Sequence, residues 1–132
     1  MTAIDKLMML SMAVSDMDAV KDFYTAKLGF TVASDFTYNH EQASKMGLPD
    51  GARWISMLLP GGTPINLSNV YENMKPGTMK LYLSTADIDA AYKELTGKGV
   101  KPTVEITRAG WGTFFSFSDP DGNNWLVVEA KA

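Results

Sequence analysis

The stretch FSDPDGNNWLVVE, residues 117–129, predicts a strand, a tight turn and a second strand. Phe and Ser alternate through residues 115–118, which is the period-2 pattern of a half-buried strand. Residues 119–122, Asp-Pro-Asp-Gly, interrupt the pattern, because proline presets φ for a turn, aspartate can bond nearby backbone and glycine accepts positive φ. The apolar run at residues 125–128 then resumes as a strand. We therefore expect a β-hairpin near the C-terminus.

The surroundings of this hairpin occur twice in the chain. Residues 14–19, VSDMDA, align with residues 85–90, TADIDA, and both follow an apolar run and open a helical pattern. Residues 59–62, LPGG, align with the turn at residues 118–122. A β-α-β-β-β unit is therefore predicted twice, and this internal repeat favours an α+β fold.

The repeat divides the chain into two predicted modules within a single domain covering residues 1–132. Module one spans about residues 1–69, a linker covers residues 70–77, and module two spans about residues 78–132. Strands are predicted at residues 6–14, 30–36, 53–59, 65–68, 79–85, 103–107, 113–118 and 125–128. One helix is predicted to be capped by Asp16 or Ser15 and to stop at Gly29, and a second is predicted to open at Asp87. A long polar loop is predicted over residues 37–51.

Composition excludes several classes of function. A net charge of −3 and a pI near 5.0, without a long basic run, argue against nucleic-acid binding. The absence of cysteine excludes disulfides and thiolate metal sites and fits a reducing cytoplasm. No apolar run is long enough to span a bilayer, and the first residues lack the pattern of a signal peptide. We expect a cytoplasmic protein without a membrane or nucleic-acid partner.

The hairpin and the repeated helix openings carry a family resemblance. DPDGN followed by a strand that ends in Glu129, together with VSDMDA at residues 14–19, Phe23-Tyr24 and KLGF at residues 27–30, resembles the vicinal oxygen chelate superfamily. That superfamily includes glyoxalase, bleomycin-resistance, fosfomycin-resistance and extradiol dioxygenase proteins. The resemblance implies two tandem βαβββ modules that form a curved mixed sheet around a cleft, often in a homodimer. Function is not implied, because one scaffold serves many activities.

The resemblance also implies where a metal would be held. Its four ligand positions fall on Met9, Asn66, Lys80 and Leu126. A thioether, an amide, an ammonium and an alkyl group do not make a catalytic divalent site, which needs carboxylate, imidazole or thiolate ligands. His40 falls in the predicted loop, and Glu129 lies on the opposite face of its strand by parity. We therefore predict no metal and no other cofactor.

Strand parity predicts what lines the cleft instead. Ile55, Met57, Phe115 and Phe117 are uniformly apolar and are assigned to the helix-covered core. The opposite face carries the predicted ligand-binding residues, which are aromatic plates and polar handles: Trp54, Tyr82, Phe114, Lys80, Asn66, Ser56 and Ser11, with Trp111 at the rim. Such a lining suits a planar or amphipathic small molecule.

Each of these residues also has a purely structural interpretation. Trp54 could be a core residue, and Lys80 a solvated lysine whose stem covers apolar surface. Trp111, between two glycines, could be a hairpin anchor. His40 could be a surface residue or a general base on a mobile loop, and the sequence does not fix its role.

Three functional hypotheses follow. The first is a metal-free small-molecule binding protein of the glyoxalase/bleomycin-resistance type, acting as a homodimer that sequesters a planar or amphipathic compound. The alternative is a metal-independent isomerase or lyase that acts on a small carbonyl compound and uses Lys80, since a desolvated lysine has a lowered pKa. The third is a structural or regulatory dimer without a ligand. The sequence identifies neither the ligand nor the pairing of the modules within or between chains.

Overall fold

The computed structural model describes residues 3–130. Residues 1, 2, 131 and 132 lie outside that range, and so does the very start of the segment in which no signal peptide was predicted. The described chain forms two compact units, and the division falls between Lys75 and Pro76, inside the predicted linker. We call them the N-terminal unit and the C-terminal unit.

The N-terminal unit contains four strands and two helical segments. Its elements are β1 (Leu10–Ala13), α1 (Met17–Asp22) continued by a π-helical turn (Phe23–Lys27), β2 (Thr31–Thr37), α2 (His40–Met46), β3 (Arg53–Leu58) and β4 (Ile65–Ser68). The C-terminal unit contains β5 (Lys80–Ser84), α3 (Ile88–Gly97), β6 (Pro102–Ala109), β7 (Gly112–Ser118) and β8 (Asn124–Ala130).

Both units have the same sheet topology. The strand orders are β1-β4-β3-β2 and β5-β8-β7-β6, with the first strand of each unit parallel to the last and the other pairs antiparallel. The registers also correspond, because Ser11 pairs with Asn66 and Tyr82 with Leu126. The predicted α+β fold with tandem βαβββ modules is confirmed, as two four-stranded mixed sheets.

The hairpin between β7 and β8 is held by a buried carboxylate. One oxygen of Asp119 accepts from the Asn123 backbone N–H at 2.9 Å, and the other accepts from the Trp125 indole N–H at 3.0 Å. Gly122 supplies the positive φ, +92°, that the turn requires. The Asp-Pro-Asp-Gly sequence therefore forms the predicted turn, and its first aspartate stabilises the turn by hydrogen bonds.

Aspartates begin the first helix of each unit, as predicted. The Asp16 carboxylate accepts from the Ala19 N–H at 3.1 Å, and Asp87 accepts from the Ala90 N–H at the same distance. The α3 terminus receives a further acceptor, because Glu129 on β8 accepts from the Ile88 N–H at 2.7 Å. These carboxylates therefore satisfy free N–H groups at helix starts.

The helices cover the apolar face of each sheet. Ile55, Met57, Phe115 and Phe117, which parity assigned to the core, are at most 1% exposed. In the N-terminal unit the Tyr24 hydroxyl lies 3.2 Å from the Met12 sulfur. In the C-terminal unit the helix residue Tyr92 packs edge-on against Phe115, with ring centroids 5.2 Å apart.

The predicted loop over residues 37–51 is wrong in its middle, where α2 forms. Asn39 caps this helix by accepting from the Gln42 N–H at 2.8 Å, and the Gln42 side chain accepts from the Asn39 N–H at 3.0 Å. Gly47 ends it in a left-handed conformation with φ +69°. This reciprocal capping box explains a short helix in a polar segment. β1 is likewise shorter than the strand predicted at residues 6–14, because residues 6–9 and residue 14 lie outside it.

Candidate functional site

The N-terminal unit contains a cavity of about 470 Å³. Its lining comes from β1, β3, β4, the α2 region and the segment after β4: Met9, Ser11, Tyr38, Met46, Leu48, Ala52, Arg53, Trp54, Asn66, Ser68, Val70, Glu72, Asn73 and Met74. The volume lies within the range of small-molecule sites, and apolar side chains with a few polar groups are typical of them.

Three of the residues selected by strand parity meet in this cavity. Trp54, Asn66 and Ser11 line it from β3, β4 and β1. Ser56 pairs with Asn66 across the β3–β4 ladder but is buried and does not line the cavity. Alternation along the strands brings these side chains to one face of the sheet.

Asn66 has an incomplete set of hydrogen bonds. Its Nδ2 donates to the Ser11 Oγ at 3.2 Å. Its Oδ1 is buried and has no hydrogen-bond partner among residues 3–130. An unsatisfied buried acceptor is costly, about 1–3 kcal/mol. A change in the terminal torsion of the side chain can turn this oxygen toward a donor in the cavity.

Aromatic side chains form one wall of the cavity. The rings of Trp54 and Phe36 have centroids 6.4 Å apart, and Phe36 and Tyr38 are in edge contact at 4.8 Å. Trp54 and Tyr38 line the cavity directly. Tyr38 was not predicted as a ligand-binding residue, because it falls in the loop predicted over residues 37–51. Its spacing of two from Phe36 was the signal that could have placed both rings on one face.

The segment after β4 supplies another wall, which the sequence analysis treated as a linker. Val70, Glu72, Asn73 and Met74 all line the cavity. The Tyr71 hydroxyl anchors the segment by donating to the Val14 carbonyl at 3.1 Å.

A tight turn closes this segment. The Met74 N–H donates to the Tyr71 carbonyl at 2.7 Å. Upstream, the side chain of Asn69 bonds to two backbone groups: it accepts from the Arg53 N–H at 2.8 Å and donates to the Gly51 carbonyl at 3.0 Å. These bonds fix the cavity wall to the sheet.

Arg53 lines the cavity, but its charge is already compensated. Its Nε and one terminal nitrogen donate to the two Asp35 oxygens at 2.8 and 2.7 Å. Its other terminal nitrogen donates to Asp18 at 2.9 Å. Lys21 completes the network by donating to Asp35 at 2.8 Å. Two cations and two anions thus form a neutral cluster that ties α1 to β2 and β3.

This cluster shifts the pKa of two of its members, Asp35 and Arg53. Hydrogen bonds from Arg53, and then from Lys21, hold the pKa of Asp35 well below its ordinary value of 3.8. The hydrogen bonds to Asp35, and then to Asp18, raise the pKa of Arg53 further above its ordinary value. Both groups are therefore charged at every physiological pH.

The other predicted ligand residues, Lys80, Tyr82, Trp111 and Phe114, belong to the C-terminal unit and are not among the residues that line this cavity. Lys80 is exposed, and its Nζ lies 5.6 Å from the Tyr82 ring centroid, at cation–π distance. Trp111 sits in the two-residue connection between β6 and β7 and stacks on Phe114, with ring centroids 5.3 Å apart. Tyr82 is 60% exposed and Trp111 is 54% exposed.

The exposure of Lys80 bears on the enzyme hypothesis, which assumed a desolvated lysine. Lys80 is exposed and therefore lacks the burial that this hypothesis assumes. His40 is also exposed, and its Nδ1 lies 2.7 Å from an Asp50 oxygen. It is the first residue of α2 and is absent from the cavity lining.

The residues at the superfamily's ligand positions do not fit a metal. Met9 and Asn66 lie in the N-terminal unit, and Lys80 and Leu126 in the C-terminal unit. Asn66 offers one neutral oxygen, and Leu126 is a buried alkyl side chain. Within residues 3–130, no group of three or more histidine or carboxylate side chains is arranged around a common point. The donor set lacks the charge that a divalent cation requires.

The helices are short. The longest described helix, α3, has ten residues. Over residues 3–130, none combines the length and the apolar character needed to cross a membrane.

Sequence comparison identifies relatives over nearly the whole chain. The family model "Glyoxalase/Bleomycin resistance protein/Dioxygenase superfamily" matches residues 4–127. The uncharacterized protein YetH of Bacillus subtilis (strain 168) is 30% identical over 116 residues, which are 88% of this chain and 91% of YetH. YurT of the same strain is 30% identical over 94% of this chain and 98% of its own length.

Solved structures share the fold. TnmS3, described as an antibiotic binding protein from Streptomyces sp. CB03234, is 31% identical with a TM-score of 0.83, covering 99% of this chain and all of TnmS3. A superfamily member from Sphaerobacter thermophilus DSM 20745 is also 31% identical, with a TM-score of 0.73, covering 97% of this chain and 99% of its own. The repeated βαβββ topology, the hairpin and these matches together place the chain in the glyoxalase/bleomycin resistance protein/dioxygenase superfamily.

Proposed function

We propose that this protein binds an organic small molecule without a metal ion and sequesters it in the cavity of the N-terminal unit. The ligand is planar or amphipathic. Trp54 and Tyr38 supply flat apolar area, and Ser11, Asn66 and Ser68 supply polar contacts that orient the ligand.

The observation that carries this proposal is the composition of the cavity. Its polar lining includes Asn66, whose amide oxygen lacks a partner in the described chain, and its apolar lining includes the aromatic residue Trp54. A ligand donor can satisfy that oxygen, while the aromatic wall contributes buried area. Neither interaction requires a metal.

Similarity to TnmS3 supports the binding class. That protein is described as antibiotic binding, and the likeness extends over 99% of this chain. An antibiotic or another toxic organic compound is therefore a reasonable ligand class. Sequestration needs tight binding rather than chemistry, which agrees with the donor set of the cavity.

A fluorescence screen tests the proposal. The chain contains three tryptophans, of which Trp54 lines the cavity, Trp111 is exposed in the other unit and Trp125 is 1% exposed. Planar organic compounds, aromatic antibiotics included, are titrated against wild type, Trp54→Phe and Trp111→Phe. We expect quenching in wild type and Trp111→Phe and a loss of most of that quenching in Trp54→Phe.

The same screen separates this function from its alternatives. We expect Lys80→Met to leave binding in the cavity unchanged, because Lys80 is not among the residues that line it. Quenching that disappears only in Trp111→Phe would move the site to the C-terminal unit and contradict the proposal. If no compound changes fluorescence or melting temperature, small-molecule binding itself is wrong.

We further propose a cytoplasmic homodimer. The absence of cysteine fits a reducing compartment. The exposed aromatic side chains of Tyr82 and Trp111 in the C-terminal unit offer apolar area for a second copy of the chain. Sedimentation equilibrium tests the dimer, and Tyr82→Lys is expected to shift it toward the monomer.

A further inference from the structure

We propose that the ligand of this cavity is a cation, a planar or amphipathic molecule with a protonated amine or a quaternary ammonium group that Glu72 receives. This inference rests on the proposed function, since it names the ligand class of the same cavity.

Only two of the lining residues carry a charge, Arg53 and Glu72. Every guanidinium nitrogen of Arg53 is bonded to a carboxylate, either Asp35 or Asp18. With Lys21 on the other side of Asp35, the cluster sums to zero. The cluster therefore contributes little net field to the cavity, and the charge of Arg53 is already compensated by two carboxylates.

Glu72 is the second charged residue of the cavity lining, and its charge is not compensated as that of Arg53 is. Its carboxylate makes no hydrogen bond or ion pair with residues 3–130. It is exposed, in the wall formed by residues 70–74. The cavity therefore has a net negative charge, which attracts cations and repels anions.

The backbone at Glu72 gives a second, independent observation. Its φ is +52°, and no other non-glycine residue among residues 3–130 has a positive φ. Glutamate rarely adopts this left-handed conformation, which glycine would adopt without strain. Strain of this kind is often found at binding sites, because the residue is held there for its side chain.

The aromatic wall of the cavity also favours a cationic ligand over an anionic one. Trp54 and Tyr38 line the cavity, and the faces of indole and phenol rings attract cations. A cation between these rings and Glu72 gains from both, whereas an anion gains from neither. Met9, Met46 and Met74 add polarizable surface around a large organic cation.

A matched series of probes tests the inference. 9-(Aminomethyl)anthracene, 9-anthracenemethanol and anthracene-9-carboxylate share one ring system and differ in charge. Their own fluorescence anisotropy reports binding to wild type, Glu72→Gln and the control Glu94→Gln, which removes an exposed carboxylate of α3 in the C-terminal unit. We expect the amine to bind about five- to tenfold more tightly than the alcohol, and the carboxylate more weakly than the alcohol.

Glu72→Gln should remove the advantage of the amine and leave the affinity for the alcohol unchanged, while Glu94→Gln behaves as wild type. Equal binding of the three probes, or an equal loss of amine and alcohol binding in Glu72→Gln, overturns the cation preference and leaves small-molecule binding intact. If none of the three probes binds, the proposed function fails and the inference fails with it.

Discussion

Asn66 and Ser11 lie opposite each other on β4 and β1, joined by a hydrogen bond of 3.2 Å that leaves the Asn66 Oδ1 buried without a partner in the described chain. The C-terminal unit has different residues at the equivalent pair of positions. Leu126 occupies the place of Asn66 and pairs with Tyr82 in the place of Ser11. An apolar side chain therefore satisfies the equivalent position of the other sheet, so the topology itself does not require an amide there.

Asn66→Leu separates stability from binding. Leucine has nearly the shape of asparagine and removes the unsatisfied oxygen, so we expect the free energy of unfolding to rise by about 1 kcal/mol. Affinity for a ligand that donates to the amide should fall about tenfold. Thermal melting and fluorescence titration measure the two effects.

The reciprocal change, Leu126→Asn, is the control. It places an amide at a position that is 6% exposed and should lower the free energy of unfolding by about 2–3 kcal/mol. If Asn66→Leu destabilises the protein as strongly as Leu126→Asn, the amide is a structural requirement of the first unit, and its role in binding loses support.

Asp35→Asn tests the charge cluster beside the cavity. Hydrogen bonds from Arg53, then Lys21, lower the pKa of Asp35 in the folded state below its ordinary 3.8. The folded state therefore favours the ionised form, and the resulting stabilisation is complete above about pH 4 and is lost as the pH falls through the folded pKa. The variant should be about 1–2 kcal/mol less stable at pH 7.

The pH dependence distinguishes this explanation from a packing defect. The difference in free energy of unfolding between wild type and Asp35→Asn should shrink as the pH is lowered below about 4, in urea titrations at matched ionic strength. A difference that stays constant down to acidic pH would show that the substitution acts through packing and not through ionisation of Asp35.

Glu72→Gly should raise stability and lower cation affinity at once. Glycine adopts φ +52° without strain, which we expect to raise the free energy of unfolding by about 0.5–1 kcal/mol. Loss of the carboxylate removes the preference for 9-(aminomethyl)anthracene. Such a trade between stability and binding is common at functional sites.

Glu72→Ala is the matched control because it removes the carboxylate but keeps a Cβ at the same φ. It should lose the cation preference without gaining stability. Equal melting temperatures for the alanine and glycine variants would mean that the left-handed backbone at residue 72 is not strained.

The fold could be predicted from sequence because its signals are local and repeated. Asp16 and Asp87 begin helices at equivalent places, and the Asp119 turn joins two strands whose pattern is clear. Strand parity also selected Trp54, Asn66 and Ser11, which do line one cavity. Periodicity reports which face a side chain occupies once the strand is recognised.

The remaining cavity residues could not be found in that way. Tyr38 follows the end of β2, where its spacing of two from Phe36 was the only signal. Glu72 and Asn73 lie in a turn, so no period relates them to the sheet. Helix α2 depends on the capping box between Asn39 and Gln42, which a polar composition conceals. The cavity wall at residues 70–74 is positioned by the hydrogen bond from the Tyr71 hydroxyl to the Val14 carbonyl, and a contact between residues so far apart in sequence leaves no local pattern.

Gly77 lies directly against the hairpin that defines the fold, which gives a stringent test of that packing. Its φ is +79°, and a Cβ placed there would lie 2.2 Å from the Asp121 carbonyl oxygen. Both backbones would have to move apart, so Gly77→Ala should lower the free energy of unfolding by at least about 2 kcal/mol.

Gly61→Ala is the control, since Gly61 has no positive φ and no atom within 4 Å of the added carbon. Urea unfolding should show a change within about 0.5 kcal/mol for Gly61→Ala. If Gly77→Ala is equally mild, the close approach of residue 77 to the hairpin does not exist in solution.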